Sequence, residues 1–332
     1  MASKRRARAK VDEKKPERAS VGVKKRERTP ARRSRDCPTV SIVGAGRLGT
    51  ALGLALAHCG YHVEAMVARR KSHARRAAQL ISTEPLALSA AELDKLPASE
   101  LLFITTPDDF INETAARIAA EIKDTTRGGT ALHTSGALSS NELHSLRDAG
   151  FSTGSMHPLV AVTEARAGEE SLRRAFFCIE GERGAVSVAR RIVRDLGARS
   201  FSINTKEKAL YHAAAVTASG HMVALFDVAT EMLARCGLKE REARAILMPL
   251  VRSTLDNLLE HEAAEALTGS FARADVSTVH RHLEAIRKEA LPDALAAYTL
   301  LGKRSLRLAK KRGANADALE AILKALNDAV EE

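Results

Sequence analysis

Four cysteines, Cys37, Cys59, Cys178 and Cys236, are spread through 332 residues, and no two of them form a C-x-x-C pair. That spacing offers neither a structural zinc site nor a disulfide framework, and a reducing cytoplasm is the expected setting. No His, Cys, Asp or Glu string has metal-ligand spacing, so no metal is expected. The chain also lacks a P-loop and a G-x-S-x-G nucleophile elbow. These absences set aside P-loop nucleotide hydrolysis and serine-hydrolase chemistry. No apolar stretch of the kind found in a secretory signal precedes the first strand pattern.

A field of one sign is missing from most of the chain as well. The net charge is +11, but residues 1–36 hold 15 of the 52 basic residues and 5 of the 41 acidic ones. The remainder is close to neutral, so the basicity belongs to the tail. That tail has no aromatic and almost no large apolar residue, and is expected to be disordered because it cannot bury enough surface to offset its ordering entropy. It can touch a nucleic acid weakly through its basic clusters, though a solvated extension accounts for it better. Ala209 to Phe226 is 18 residues without a formal charge, at the lower limit for a membrane span. It contains His212, Thr217, Ser219, Gly220 and His221 and is rich in alanine. It therefore reads as a buried bundle or dimer helix, and no membrane partner is expected.

From Thr39 to about Ile203, short β-rich runs alternate with helical patterns. This alternation implies β-α-β units and an α/β, doubly wound parallel sheet. "LLFITT" runs into a helical pattern that Asp108 or Asp109 can cap. After Asn204 the strand signals cease, and Lys206 to Arg235 reads as one long helix closed at Gly237, with Pro249 kinking or dividing the next. The expected division is a basic tail (1–36), an α/β domain (37–204) and an all-α domain (205–332).

"TVSIVGAGRLGTALGLALAHCG", Thr39 to Gly60, is the most informative stretch. Gly44, Gly46 and Gly49 fit G-x-G-x-x-G between a strand and a helix. The first glycine permits the tight turn, and the second lets a pyrophosphate approach the backbone. The third brings helix and strand together. Arg47 and Leu48 open the helix whose N-terminus faces the anion. An acid at the end of the second strand, which would hold the ribose hydroxyls of NAD, is absent; Glu64 lies too early in that strand. Ala68, Arg69 and Arg70 stand there instead, and an arginine can pair with a 2′-phosphate, which favours NADP over NAD. A solvated helix start is the other account of these arginines. Thr106 and Pro107 end the fourth strand, where a cofactor would pass.

The glycine turn is followed, in order, by "LHTSGALS", "GSMHPL", "KALYHAAAVTASGHMVALFDVA", "LMPLVRSTLDN" and "LTGSFARADVSTVHRHL". Together these resemble a family of oxidoreductase-like proteins in which a Rossmann-like domain is joined to domain of unknown function 2520. More distantly, the arrangement is similar to ketopantoate reductase, pyrroline-5-carboxylate reductase and the 6-phosphogluconate dehydrogenase group, whose C-terminal domain is also helical. The resemblance covers about residues 38–330 and implies the fold, an NADP-type cofactor and a homodimer built through helices, without a substrate. The dehydrogenase group often carries Lys-x-x-x-Asn where this chain has "KALYH", with His212 in the asparagine's place.

Lys208, His212, Ala215 and Ser219 fall on one helix face. His212 is a candidate to give a proton to a carbonyl oxygen or imine nitrogen during hydride transfer, and Lys208 to hold a carboxylate. A helix-start lysine in solvent and a satisfied core histidine explain these two equally well. Ser135, beside His133 and Gly136, and His157, beside Ser155 and Pro158, end the fifth and sixth strands, where open α/β sheets present ligands. Arg273, Asp275 and His280 can close the site, or Asp275 can cap a helix. The sequence thus points to an NADP-dependent oxidoreductase acting, in either direction, on a small carbonyl or imine compound that can bear a carboxylate. The other reading is a non-catalytic, dinucleotide-binding regulatory protein.

Overall fold

A computed structural model of the protein describes residues 38–121 and 128–331. The basic tail and Cys37 lie outside the described residues. The strands are β1 (Thr39–Val43), β2 (His62–Ala68), β3 (Leu86–Ser89), β4 (Leu101–Ile104), β5 (Thr130–His133), β6 (Ser152–Pro158), β7 (Phe176–Gly181) and β8 (Arg199–Phe201). They form one sheet in the order β3-β2-β1-β4-β5-β6-β7-β8. Between them run α1 (Arg47–His58), α2 (Lys71–Ala78), α3 (Ile111–Glu121), α4 (His144–Asp148), α5 (Ala165–Arg174) and α6 (Arg183–Asp195). All four residues of β4 and of β5 are buried, as in strands covered on both faces.

The sheet departs from the expected parallel arrangement at one place. β7 pairs with β6 antiparallel, Pro158 facing Phe177 and Gly154 facing Gly181, and β8 follows β7. Strand-helix alternation does not encode direction. Here α5 packs on α1, where a Cβ on Gly168 would stand 3.0 Å from that of Ala51. The chain therefore re-enters the sheet at the end it left. β8 runs the same way as β7 but is only three residues long, so the chain leaves it at Phe201, level through Cys178 with His157 near the end of β6.

The helical region comprises α7 (Lys208–Ala218), α8 (Gly220–Arg235), α9 (Glu240–Glu260), α10 (Ala263–Ala266), α11 (Gly269–Ala272), α12 (Val276–Lys288), α13 (Pro292–Lys311) and α14 (Ala316–Glu331). The single helix expected over Lys206–Arg235 is divided. A 3-10 turn at Thr205–Glu207 leads into α7, and the helix breaks at Ser219, with φ −119° and ψ −74°. A Ser-Gly pair is a recognised place for such a break. In contrast, α9 runs undivided through Pro249, which removes one helical hydrogen bond without ending the helix. Val279, Leu283, Leu306, Ile322 and Leu326 form a core among α12, α13 and α14. The Lys206–Arg235 segment was expected to be enclosed, yet in the single chain only 6% of the 18-residue apolar window in Thr205–Arg235 is buried. Leu210, Val223, Leu250 and Leu259 are 63% to 84% exposed.

Candidate active site

The three glycines of the β1–α1 turn have separable reasons. Gly44 has φ +121°, and an added Cβ would lie 2.5 Å from the carbonyl carbon of Thr105. A Cβ on Gly49 would overlap the carbonyl oxygen of Gly44 at 2.2 Å. Both are glycine because the turn packs on itself and on Thr105, whose hydroxyl donates to the Gly44 carbonyl at 2.7 Å. Gly46 differs: its φ is −81°, and a Cβ would meet nothing nearer than 4.0 Å. Neither backbone nor packing in the protein requires glycine there. No side chain caps α1 and no acid stands in its first turn. The first-turn N–H groups at Arg47, Leu48 and Gly49 are therefore available to an anion, and Gly46 leaves the approach clear.

Arg69 and Arg70, immediately beyond β2, are exposed. Lys71, by contrast, is paired with Glu92 at 2.7 Å, and that lysine's hydrogen bond, with those of Ser89, holds the Glu92 carboxyl well below its usual range. Glu64 sits near the opposite end of β2, accepting from Ser99 at 2.5 Å, far from a ribose bound at the C-terminal strand ends. Thr106 lies just beyond β4, its buried hydroxyl without a hydrogen-bond partner among the described residues. Pro107 is the N-cap of the 3-10 turn that follows, and neither Asp108 nor Asp109 caps it as expected. Asp108 instead reaches across to accept the hydroxyl of Ser135 at 2.8 Å. That hydroxyl also accepts the N–H groups of Ala137 and Leu138, so the side chain of Ser135 is committed to shaping its own loop.

Lys208 enters from α7 and is 1% exposed. Its ammonium donates to the Ser135 carbonyl at 2.8 Å and to Ser155 Oγ at 2.5 Å, and lies 3.9 Å from Glu180. Burial lowers its pKa, while Glu180 opposes the shift. Glu180, on β7, also accepts the N–H and hydroxyl of Ser140 and the hydroxyl of Thr205. Sequence reasoning missed Glu180, since an acid inside an apolar strand carries no signal of its partners. Lys208 therefore lies beneath the site and does not face the open cleft.

Above it, His157 and His212 meet edge to face with ring centroids 5.5 Å apart. Gly136 makes room for both: a Cβ there would stand 2.3 Å from His212 Nδ1 and 2.8 Å from His157 Nε2. His212 Nδ1 is buried and has no hydrogen-bond partner among the described residues. His157 Nδ1 is 2.7 Å from the hydroxyl of Tyr211, a residue not singled out from the sequence. Burial, then the charge of Lys208, pushes the His157 pKa down to about 4. His133 is likewise lowered, to about 3, by burial first; its ring lies 3.0 Å from the Ser139 carbonyl and accepts the Ser135 N–H. A cavity of about 320 Å³ connects the His157 and His212 rings to the glycine turn; Arg47, Leu48, Ser135 and Gly136 are among its other lining residues.

Ser219 is not part of this group. It is exposed at the α7–α8 break, about 16 Å along the helix from Lys208 at 1.5 Å per residue. Asp275 caps α12 by accepting the Thr278 N–H at 3.0 Å. A larger cavity, about 610 Å³, lies at the opposite ends of β1, β4 and β5, lined by Ser41, Ser99, Glu100 and Phe151 among others.

Residues 24–158 match the Rossmann-like domain and residues 175–305 match a domain of unknown function, DUF2520. No curated protein matches the chain. Among solved structures, a protein from Thermotoga maritima is similar at 22% identity and TM-score 0.64, over 82% of this chain and 99% of that one. A candidate NADP oxidoreductase from Bacteroides fragilis is similar at 21% identity and TM-score 0.65, over 82% of this chain and 98% of that one. A reductive aminase from Aspergillus terreus, solved with NADPH and ethyl-5-oxohexanoate, is similar at 14% identity and TM-score 0.53, over 89% of this chain and 94% of that one. At these identities the likeness is one of fold. The chain thus joins a Rossmann-like domain, over β1 to β6, to DUF2520, from β7 into α13.

Proposed function

We propose that the protein is an NADP-dependent oxidoreductase acting on a small carbonyl or imine compound. The observation that carries this reading is Gly46, a glycine that the protein's own packing does not need, at an uncapped helix N-terminus opening into the cavity of His157 and His212. The Aspergillus terreus relative was solved with NADPH, which supports the choice of cofactor. Gly44, Gly46, Arg47, Leu48 and Gly49 would hold the pyrophosphate, Arg69 with Arg70 the 2′-phosphate, and Thr106 and Pro107 the flank of the cofactor beyond β4. Ser135 contributes the shape of its loop. When bound, the reduced cofactor supplies a hydride.

In this reading His157 and His212 face the substrate. His157, held neutral at ordinary pH, offers a hydrogen bond without a charge to the substrate's oxygen or nitrogen. His212 Nδ1, buried and unpartnered, takes up the hydrogen bond that the ligand completes. Lys208 acts through Ser135 and Ser155 by fixing the loop under the two rings. Fluorescence titration with NADPH is the first test, with saturation expected below millimolar cofactor. No binding at that concentration ends the proposal. Turnover over a panel of keto acids and cyclic imines then separates an enzyme from a cofactor-binding regulator.

The same proposal includes a homodimer. Leu210, Val223, Leu250 and Leu259 form too much exposed apolar surface on α7, α8 and α9 for a stable single chain in water, and a second copy would cover them by a two-fold contact. Light scattering should give twice the chain mass, and a monomer would rule this out.

A further inference from the structure

Tyr211 stands one residue before His212 on α7, and its phenol is held from three sides. Its ring packs edge to face on Phe201, centroids 5.8 Å apart, and on the His157 ring at 5.6 Å. The Cys178 thiol lies beside its hydroxyl, in the strand position that pairs with His157. Burial keeps both groups in their protonated forms, the phenol first by desolvation and the thiol likewise. The phenol therefore has one proton to give and two neighbours to receive it. An imidazole nitrogen is a strong acceptor and a thiol sulfur a weak one. The 2.7 Å distance to His157 Nδ1 is that of a full hydrogen bond.

We infer that Tyr211 is a positioning residue that donates to His157 Nδ1 and so fixes the tautomer carrying hydrogen on Nε2. Nε2 is the ring nitrogen that lies against Gly136 in the cavity wall. The cavity then meets a neutral N–H donor at His157 and a free acceptor or donor at His212, and the substrate atom best suited to that wall is a carbonyl oxygen or imine nitrogen with a lone pair. The catalytic meaning of this tautomer rests on the cavity being the reaction site. The tautomer itself does not, so it is tested without cofactor or substrate.

The full chain, labelled with ¹⁵N-histidine, reports each ring nitrogen by its shift and its couplings to the ring protons, with His157→Gln identifying the resonance. In the wild type, Nδ1 of His157 is expected at an unprotonated shift and Nε2 at a protonated one. Tyr211→Phe keeps the ring that packs on Phe201 and should turn this single state into a mixture. A protonated Nδ1 in the wild type would overturn the inference, as would an unchanged tautomer in Tyr211→Phe. Should that variant not fold, incorporation of 3-fluorotyrosine at the chain's three tyrosines gives a second reading. The more acidic phenol should move Nδ1 further toward the protonated value, and an unmoved shift would reject Tyr211 as the donor.

Discussion

Lys208 Nζ lies 2.5 Å from Ser155 Oγ, so the first turn of the helical region is bonded to the middle of β6 by a buried ammonium. The counter-charge is Glu180 at 3.9 Å. Lys208→Met keeps the hydrocarbon stem but leaves Glu180 buried without its partner, and should cost about 3 kcal/mol in urea unfolding. A cost under about 1 kcal/mol would show that Ser140 and Thr205 suffice to hold the carboxylate. Pairing the change with Glu180→Gln removes the stranded charge and should recover part of the loss.

Gly46→Ala separates cofactor binding from folding. Because a Cβ there meets no protein atom within 4.0 Å and φ is −81°, stability should change by no more than about 0.5 kcal/mol. NADPH affinity should fall by about tenfold or more, because the methyl group occupies the pyrophosphate's approach. Gly44→Ala should instead lower the melting temperature, since its Cβ overlaps Thr105 and its φ is +121°. Unaltered NADPH affinity in Gly46→Ala would contradict the cofactor assignment.

Arg69→Ala should weaken NADPH by roughly 10- to 100-fold, the scale of a lost charged hydrogen bond. NADH has no 2′-phosphate and should bind the variant much as it binds the wild type. Equal losses for the two cofactors, measured by fluorescence titration, would show that another residue discriminates.

Acid should destabilise the protein before most carboxylates titrate. The unfolded chain protonates its histidines near pH 6.5, whereas the folded chain resists protonation at His157 down to about 4 and at His133 down to about 3. Between those values the unfolded state binds more protons, so stability is complete above pH 6.5 and falls as the pH falls. Each histidine contributes up to about 1.4 kcal/mol per pH unit, giving about 2 kcal/mol for the pair between pH 6 and pH 5. A flat urea midpoint over that interval would place at least one of the rings in contact with solvent.

The parts that were legible in the sequence are those written as local patterns. The glycine turn, the end of β2 and the strand-helix alternation depend on neighbours within a few residues. Direction of β7 depends on where α5 packs, which no local pattern states. The cluster of Lys208, Ser135, Ser155 and Glu180 joins positions up to 73 residues apart. The helix-face reading set Lys208 and Ser219 on one face, but a shared face does not make one site: the eleven residues between them along α7 amount to about 16 Å of rise. Tyr211 went unnoticed for a related reason: its partner, His157, lies 54 residues earlier.

The bonds of Lys208 also restrict motion. A swing of the helical region against the sheet would turn about residues 202–207, between β8 and α7. Such a swing would pull the ammonium from Ser135 and Ser155 and part Thr205 from Glu180, exposing to separation a set of groups that are stable only together. The linker is therefore a clamp. Traffic into the cavity is left to the rest of its wall, which includes Arg47 and, from the segment between β6 and α5, Val160 and Val162.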